Sequence, residues 1–230
     1  MRFINKIRQS IAKRFYRIPL VARISAAQFH RSYYYSIEKT WGNTSWLGVP
    51  LLKCPLDLWV YQEILYDLQP EYVIECGTNR GGSAFYMAGI FDLICKGRII
   101  TIDIEDLKAD YPTHDRVEYL IGSSTSPEIV KRVKSIIGDA GPVIVILDSD
   151  HSRDHVMAEL MVYSEIVTHG SYIIVEDTNL GGHPVCPAQR PGPMEALRDF
   201  LKTNDSFEID HSRTKYMLTF NPNGYLKRVS

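Results

Sequence analysis

Residues 72 to 83 read YVIECGTNRGGS, and this stretch decides the fold. The apolar run Tyr72 to Cys76 carries an acid, Glu75, near its end and passes into a turn built on Gly77, Gly81 and Gly82. A helix is expected from Gly82 to Ile94. Strand, glycine turn and helix in this order open a parallel α/β unit. The pattern repeats downstream. Further strands are expected at Arg98 to Ile102, Val117 to Ile121, Val143 to Leu147 and Ser171 to Val175. Helices are expected at Ser126 to Ile137, Asp154 to Val167 and Met194 to Lys202, and upstream at Asp57 to Leu68. The unbroken aliphatic run of Val143 to Leu147 predicts a strand buried on both faces near the sheet centre. Phe207 to Ile209 and Tyr216 to Phe220 read as a closing antiparallel pair. The expectation is a Rossmann-like α/β fold: a mostly parallel seven-stranded sheet with helices on both faces and a terminal antiparallel strand.

The chain has 230 residues, of which 45% are hydrophobic, and a formal net charge of −1. That suits one domain over residues 46–230, and an even charge offers no field for nucleic acid. Residues 1–45 stand apart as an appendage, because residues 1–31 hold eight Lys or Arg and no acid. Phe3, Ile4, Ile7, Ile11, Phe15 and Ile18 recur there at helical spacing among Lys6, Arg8, Lys13, Arg14 and Arg17, which predicts an amphipathic basic helix. Docking in a homo-oligomer or plain packing is its expected use, with peripheral membrane contact as the alternative and an organellar targeting sequence as a third. The four cysteines, Cys54, Cys76, Cys95 and Cys186, form no CxxC pair and read as reduced, buried thiols. With no membrane span or secretory signal pattern, the expected location is the cytoplasm, at most peripheral to the membrane.

Ligands of an open parallel sheet collect beyond the carboxyl ends of its strands, and here those ends hold acids and glycines. Asp103 closes the second strand, where a carboxylate can accept from ribose hydroxyls. The turn lacks the GxGxxG spacing that seats a pyrophosphate, which favours a nucleoside cofactor without phosphates. It resembles motif I of S-adenosylmethionine-dependent methyltransferases, and that likeness assigns Glu75, Gly77, Thr78, Gly81 and Ser83 to the cofactor. Asp148 and Asp150 follow one strand, and Glu176 and Asp177 follow the next. Neighbouring strands lie about 4.8 Å apart, so these carboxylates would converge and repel unless a cation joined them. Hard oxygen donors suit Mg²⁺.

Six ordered motifs carry a more specific likeness: DLWVYQE at residues 57–63, ECGTNRGGS at 75–83, ILDSDH at 146–151, VEDT at 175–178, GPMEA at 192–196 and NPNGYLKRV at 221–229. From Trp46 to Val229 the chain resembles the cephalosporin hydroxylase family, which takes in rhamnosyl O-methyltransferases and is similar to Mg²⁺-dependent catechol-type methyltransferases. The resemblance implies a class I methyltransferase fold and O-methylation of a sugar or other polyhydroxylated small molecule. It makes Asp150, Glu176 and Asp177 metal ligands, with Asp148 a fourth acid counted among the cofactor-binding residues. It places Ser123 and Ser124 near the adenine and His151 against the cofactor. Catechol-type enzymes have a lysine where this chain has Arg153, and arginine is a poor base. His151, His155 and His183 are therefore the catalytic candidates, His183 because it lies in the long loop from Asn179 to Pro193. Lys53 reads as solvated or as a cofactor contact, and Tyr61 and Glu63 as helix packing.

Two other functions compete. A nicotinamide-dependent oxidoreductase lacks its dinucleotide fingerprint here. A catalytically silent scaffold partner would have no physical need for four mutually repelling acids at a cleft. Iron and 2-oxoglutarate hydroxylation would call for His-x-Asp or His-x-Glu, and none of the seven histidines opens such a motif.

Overall fold

The computed structural model describes residues 2–107 and 111–230. Phe3, Ile4 and Ile7 of the expected apolar stripe have side chains outside the described residues. The appendage forms two helices rather than one, α1 (Arg2–Tyr16) and α2 (Pro19–Tyr35). Pro19 occupies the first turn of α2, where its missing N–H costs nothing. A two-stranded hairpin follows, β1 (Ser45–Trp46) and β2 (Val49–Pro50).

The remaining elements are α3 (Pro55–Leu68), β3 (Tyr72–Cys76), α4 (Gly82–Ile94), β4 (Arg98–Asp103), β5 (Val117–Ile121), α5 (Pro127–Ile137), β6 (Val143–Leu147), α6 (Arg153–Tyr163), β7 (Tyr172–Val175), α7 (Pro193–Phe200), β8 (Phe207–Ile209) and β9 (Tyr225–Arg228). The main sheet has the order β5-β4-β3-β6-β7-β9-β8. Its first five strands are parallel, and β9 pairs antiparallel with both β7 and β8. The chain steps outward from β3 through β4 to β5 and then returns to lay β6 on the other side of β3. The crevice of a doubly wound sheet therefore opens between β3 and β6.

Alternation along the strands divides the core in two. Ile74, Ile100, Val145 and Ile173 face α5, α6 and α7, where Val133, Leu160 and Phe200 are buried. Val73, Ile99, Ile144 and Ile174 face α3 and α4, where Ile64, Met87 and Phe91 are buried. Ser126 accepts from Ile129 N, as its position before Pro127 predicts. All four cysteines are free, but only Cys54 and Cys76 are buried, whereas Cys95 is exposed.

The expected strand at Tyr216 to Phe220 does not form, and Tyr225–Arg228 takes its place. Buried Asp57 explains the difference. Its carboxylate accepts from Thr219 Oγ1 at 2.5 Å, Phe220 N at 2.8 Å and Tyr225 OH at 2.9 Å, drawing this segment onto α3 and away from the sheet. The Phe220 ring then packs among His30, Tyr33, Tyr34 and Trp41.

This small aromatic core is what docks α2. His30 is buried, stacks on Phe220 and lies 3.0 Å from Asn179 Nδ2. Burial, helped by Arg31, pushes the His30 imidazole down to about 4. Below the ordinary histidine range near 6.5 the unfolded chain takes up a proton that folded His30 refuses, so this contact loses stability as pH falls from about 6.5 towards 4. Between pH 7 and pH 4.5 the urea midpoint is expected to fall further for the wild type than for His30→Gln. Equal falls would show that this contact is not proton-linked.

Candidate active site at the carboxyl edge of the sheet

The turn after β3 is tied down from both sides. Gly77 N donates to Ile102 O and Asp148 N donates to Cys76 O, each at 2.8 Å, so the hydrogen-bond ladder runs past the strand ends. Gly77 has φ +102°, and a Cβ there would lie 2.0 Å from Asp148 O. At Gly82 a Cβ would lie 2.0 Å from Pro50 O. These two glycines therefore serve close approach of the chain to itself, where the sequence suggested approach to a ligand. Gly81, in the left-handed region, lies against Pro112 and Tyr119.

Asp103 does not stand free at the end of β4. Its Oδ2 accepts from Thr78 N and Asn79 N at 2.9 Å, and its Oδ1 accepts from Glu105 N at 3.0 Å. It thereby holds the glycine turn in shape while facing the cleft. Glu75 is fully buried, with Oε2 accepting from Thr101 Oγ1 at 2.7 Å. Thr101 Oγ1 lies 2.8 Å from Thr78 Oγ1 in turn. Glu75 Oε1 has no hydrogen-bond partner among the described residues. A buried orphan acceptor of this kind is costly unless a donor arrives. Ser83 is buried in the first turn of α4.

The acids regroup relative to expectation. Asp148, His151 and Asp177 bring one ligand atom each within 4.8 Å of one another, and His151 Nε2 lies 3.1 Å from Asp177 Oδ2. Asp150, expected as a metal ligand, lies outside that group, and its Oδ1 accepts from Ser152 N at 2.7 Å at the start of α6. A single residue, Ser149, separates the acid that continues the ladder from the one that caps the next turn. Glu176, also expected as a ligand, is occupied differently. Its Oε1 accepts from Tyr61 OH at 2.6 Å and from Lys53 Nζ at 2.5 Å.

Lys53 is the residue that sequence reasoning missed. It is buried and bridges Glu176 to Asp148, whose Oδ2 lies 2.6 Å from Nζ. Burial alone would lower its pKa, but Asp148, Glu176 and Glu75 together drive it well above the ordinary lysine range. Burial and then Asp148 push Glu176 up to about 8, and burial, against His151, pushes Asp177 up to about 6. Lys53 therefore stays charged with Asp148 as its main counter-ion, and Glu176 takes up a proton more readily than an ordinary carboxyl. The signal was present in the sequence as a lone lysine inside the apolar run Leu51-Leu52-Lys53-Cys54-Pro55. Tyr61, read as packing, is buried within the same network, with its hydroxyl accepting from Asn221 Nδ2 at 3.3 Å. Glu63 instead pairs with Lys215 at the surface.

The other two histidines lie elsewhere. His155, on α6, is 3.2 Å from the buried Glu159 carboxylate, which also accepts from Ser124 Oγ at 2.5 Å and from Ser149 Oγ at 2.7 Å. Ser124 is thus turned inward, whereas Ser123 reaches only Thr125, at 3.2 Å. His183 is held 3.0 Å from Glu195, which Arg190 and Gly192 N also engage. That set staples the long loop to the first turn of α7. Arg153 is committed to Asp154 and Asp199. Of the three catalytic candidates, only His151 meets the acids.

Comparison with known proteins fits this geometry. The family model described as rhamnosyl O-methyltransferase/CmcI matches residues 38–229. The chain belongs to the rhamnosyl O-methyltransferase/CmcI family. It is 38% identical over 213 residues to a rhamnosyl O-methyltransferase of Mycobacterium tuberculosis (strain H37Rv), covering 88% of this chain and 84% of the relative. A rhamnosyl O-methyltransferase of Mycobacterium leprae is 36% identical over 208 residues, with 88% and 90% covered. Among solved structures, CmcI with Mg and SAM superposes with a TM-score of 0.62 at 21% identity, covering 81% of this chain and 77% of that one. The O-methyltransferase TomG from Streptomyces achromogenes, in complex with SAM, gives 0.55 at 17% identity, with 91% and 90% covered. Members of this family and these structures share the Rossmann-like methyltransferase fold seen here.

Proposed function

We propose that the chain is a Mg²⁺-dependent O-methyltransferase that moves the methyl group of S-adenosylmethionine to a hydroxyl of a sugar or similarly polyhydroxylated small molecule. The observation that carries this reading is the meeting of Asp148, His151 and Asp177 within 4.8 Å, across the sheet crevice from the orphaned Glu75 Oε1. The two carboxylates of the first would suit a hard cation, and the second is a buried acceptor that would suit an ammonium group. The curated relatives, named rhamnosyl O-methyltransferases, support a saccharide as acceptor.

Bound S-adenosylmethionine supplies an electrophilic methyl group, and a bound Mg²⁺ acidifies a hydroxyl beside it. The chain's own residues supply position and charge. Asp148 and Asp177 would hold the cation. Lys53 keeps the neighbouring Glu176 engaged and offsets the charge of Asp148. Glu75 would receive the cofactor's ammonium, and Asp103, by fixing the glycine turn, presents its remaining lone pairs to the ribose hydroxyls. His151, with Nε2 donating to Asp177 Oδ2 at 3.1 Å, would keep Nδ1 free to take the acceptor's proton. Arg153 takes no part, being paired on α6 and α7.

Isothermal titration of S-adenosylmethionine and S-adenosylhomocysteine, with and without Mg²⁺, tests the reading. Both compounds are expected to bind, and methylation of a rhamnoside is expected to stop on chelation and resume when Mg²⁺ is restored. No binding of either compound would remove the methyltransferase assignment and leave a scaffold function in its place.

A further inference from the structure

The described side chains of helix α1 do not pack on the domain. Every described side chain of α1 is exposed, including Ile11 at 63%, Phe15 at 51% and Tyr16 at 63%. At 100° per residue, Ile11, Ala12, Phe15 and Tyr16 fall on one half of the helix, with Arg8 set among them on a stem long enough to carry its charge to the headgroups, and Lys6, Lys13, Arg14 and, just beyond, Arg17 fall on the other. Exposed apolar residues continue through Ile18 and Leu20 to Ile24 on α2. The first acid of the chain is Glu38, so no carboxylate on either helix offsets this charge. A helix of fifteen residues whose charges are all of one sign gains no i,i+4 ion pairs and is marginal alone in water. Its apolar half calls for a covering surface, and its basic half restricts that surface to one of negative charge.

We infer that α1 and the adjoining outer face of α2 form a docking surface for an anionic lipid bilayer. A bilayer interface meets both halves at once, with acyl chains for Ile11, Phe15 and Tyr16 and anionic headgroups for Lys6, Lys13, Arg14 and Arg17. A second copy of α1 would set basic residues against basic residues. Among the described residues no helix is long and apolar enough to cross a membrane, so the contact is interfacial. The rest of the chain is acidic, because the eight basic residues of positions 1–31 sit within a total charge of −1. An anionic surface would repel that part, which confines the contact to the two helices.

The test is co-sedimentation of the full chain with vesicles of phosphatidylcholine alone or with one-third phosphatidylglycerol. Binding to the anionic vesicles is expected to exceed binding to the neutral ones by about tenfold or more and to weaken with added salt. The triple variant Lys13→Glu, Arg14→Glu, Arg17→Glu should lose it, while Ile11→Ser with Phe15→Ser should weaken it with all charges retained. Unchanged S-adenosylhomocysteine binding and circular dichroism would show each variant folded. Equal binding to both vesicle types, or none to either, overturns the inference. So does a concentration-dependent dimer in sedimentation velocity that the triple charge variant abolishes, since the occupant is then a second copy.

Discussion

Asp148→Asn is expected to lower Mg²⁺-dependent turnover by about a hundredfold or more, and Asp177→Asn by a similar factor. The two carboxylates end adjacent strands, and each has a distinct hold on the fold. Asp148 N completes the ladder to Cys76 O, and Asp177, with φ +53°, is fixed by donation of its N–H to Asn221 Oδ1 at 3.1 Å. Neither backbone contact needs the charge, so Asp177→Asn should fold and bind S-adenosylhomocysteine within a few-fold of the wild type, whereas Asp148→Asn also strips Lys53 of its main counter-ion and is assayed at a temperature where circular dichroism shows it folded. Asp150→Asn is the control. Its side chain caps the chain at Ser152, and the variant should keep its dependence on Mg²⁺. If Asp148→Asn turned over at the wild-type rate with the same Mg²⁺ requirement, the cation site would have to be sought elsewhere.

Lys53→Met is expected to cost about 3–5 kcal/mol of stability at neutral pH, the range for removing one partner of a buried ion pair. Methionine fills much of the same volume, so the loss would come from charge. Asp148 is left without its counter-ion, and Glu176 keeps only Tyr61. Because burial already pushes Glu176 up to about 8, that carboxyl escapes part of the penalty by taking up a proton, which places the expected loss at the lower end of the range. Mg²⁺ should raise the melting temperature of the variant by more than that of the wild type, since it restores positive charge beside Asp148. Urea denaturation with and without Mg²⁺ measures both effects. A variant as stable as the wild type, with an equal response to Mg²⁺, would mean that Lys53 does not neutralise this site.

Legibility divides along physical lines. The strand Val143–Leu147 and the helix Pro127–Ile137 with its Ser126 cap could be read because burial periodicity and capping are properties of neighbouring residues. Glu75 and Asp103 could be placed at the cleft for the same reason, since each stands at the end of an apolar run. Tyr216 to Phe220 has the composition of a strand and failed as one, because its fate depended on Asp57, more than 150 residues earlier in the chain. His183 looked like a free base, but its partner Glu195 sits on α7, whose approach no local pattern encodes; His155 pairs with Glu159 one turn further along the same helix, a contact that its i,i+4 spacing already offered.

By itself, then, the sequence determined the alternation of strands and helices, the row of acids at the carboxyl edge and the basic amphipathic character of the first helix. Tertiary structure alone decided that Asp148 meets Asp177 while Asp150 accepts from Ser152 N, that Lys53 is buried between Asp148 and Glu176, and that α2 docks on Phe220 while the described side chains of α1 stay exposed. The first set rests on periodicity and on how a chain leaves a strand, which residues a few positions apart settle among themselves. The second rests on strand order and on pairings between residues on different elements, where burial sets the strength of each charge only after the sheet has brought the partners together.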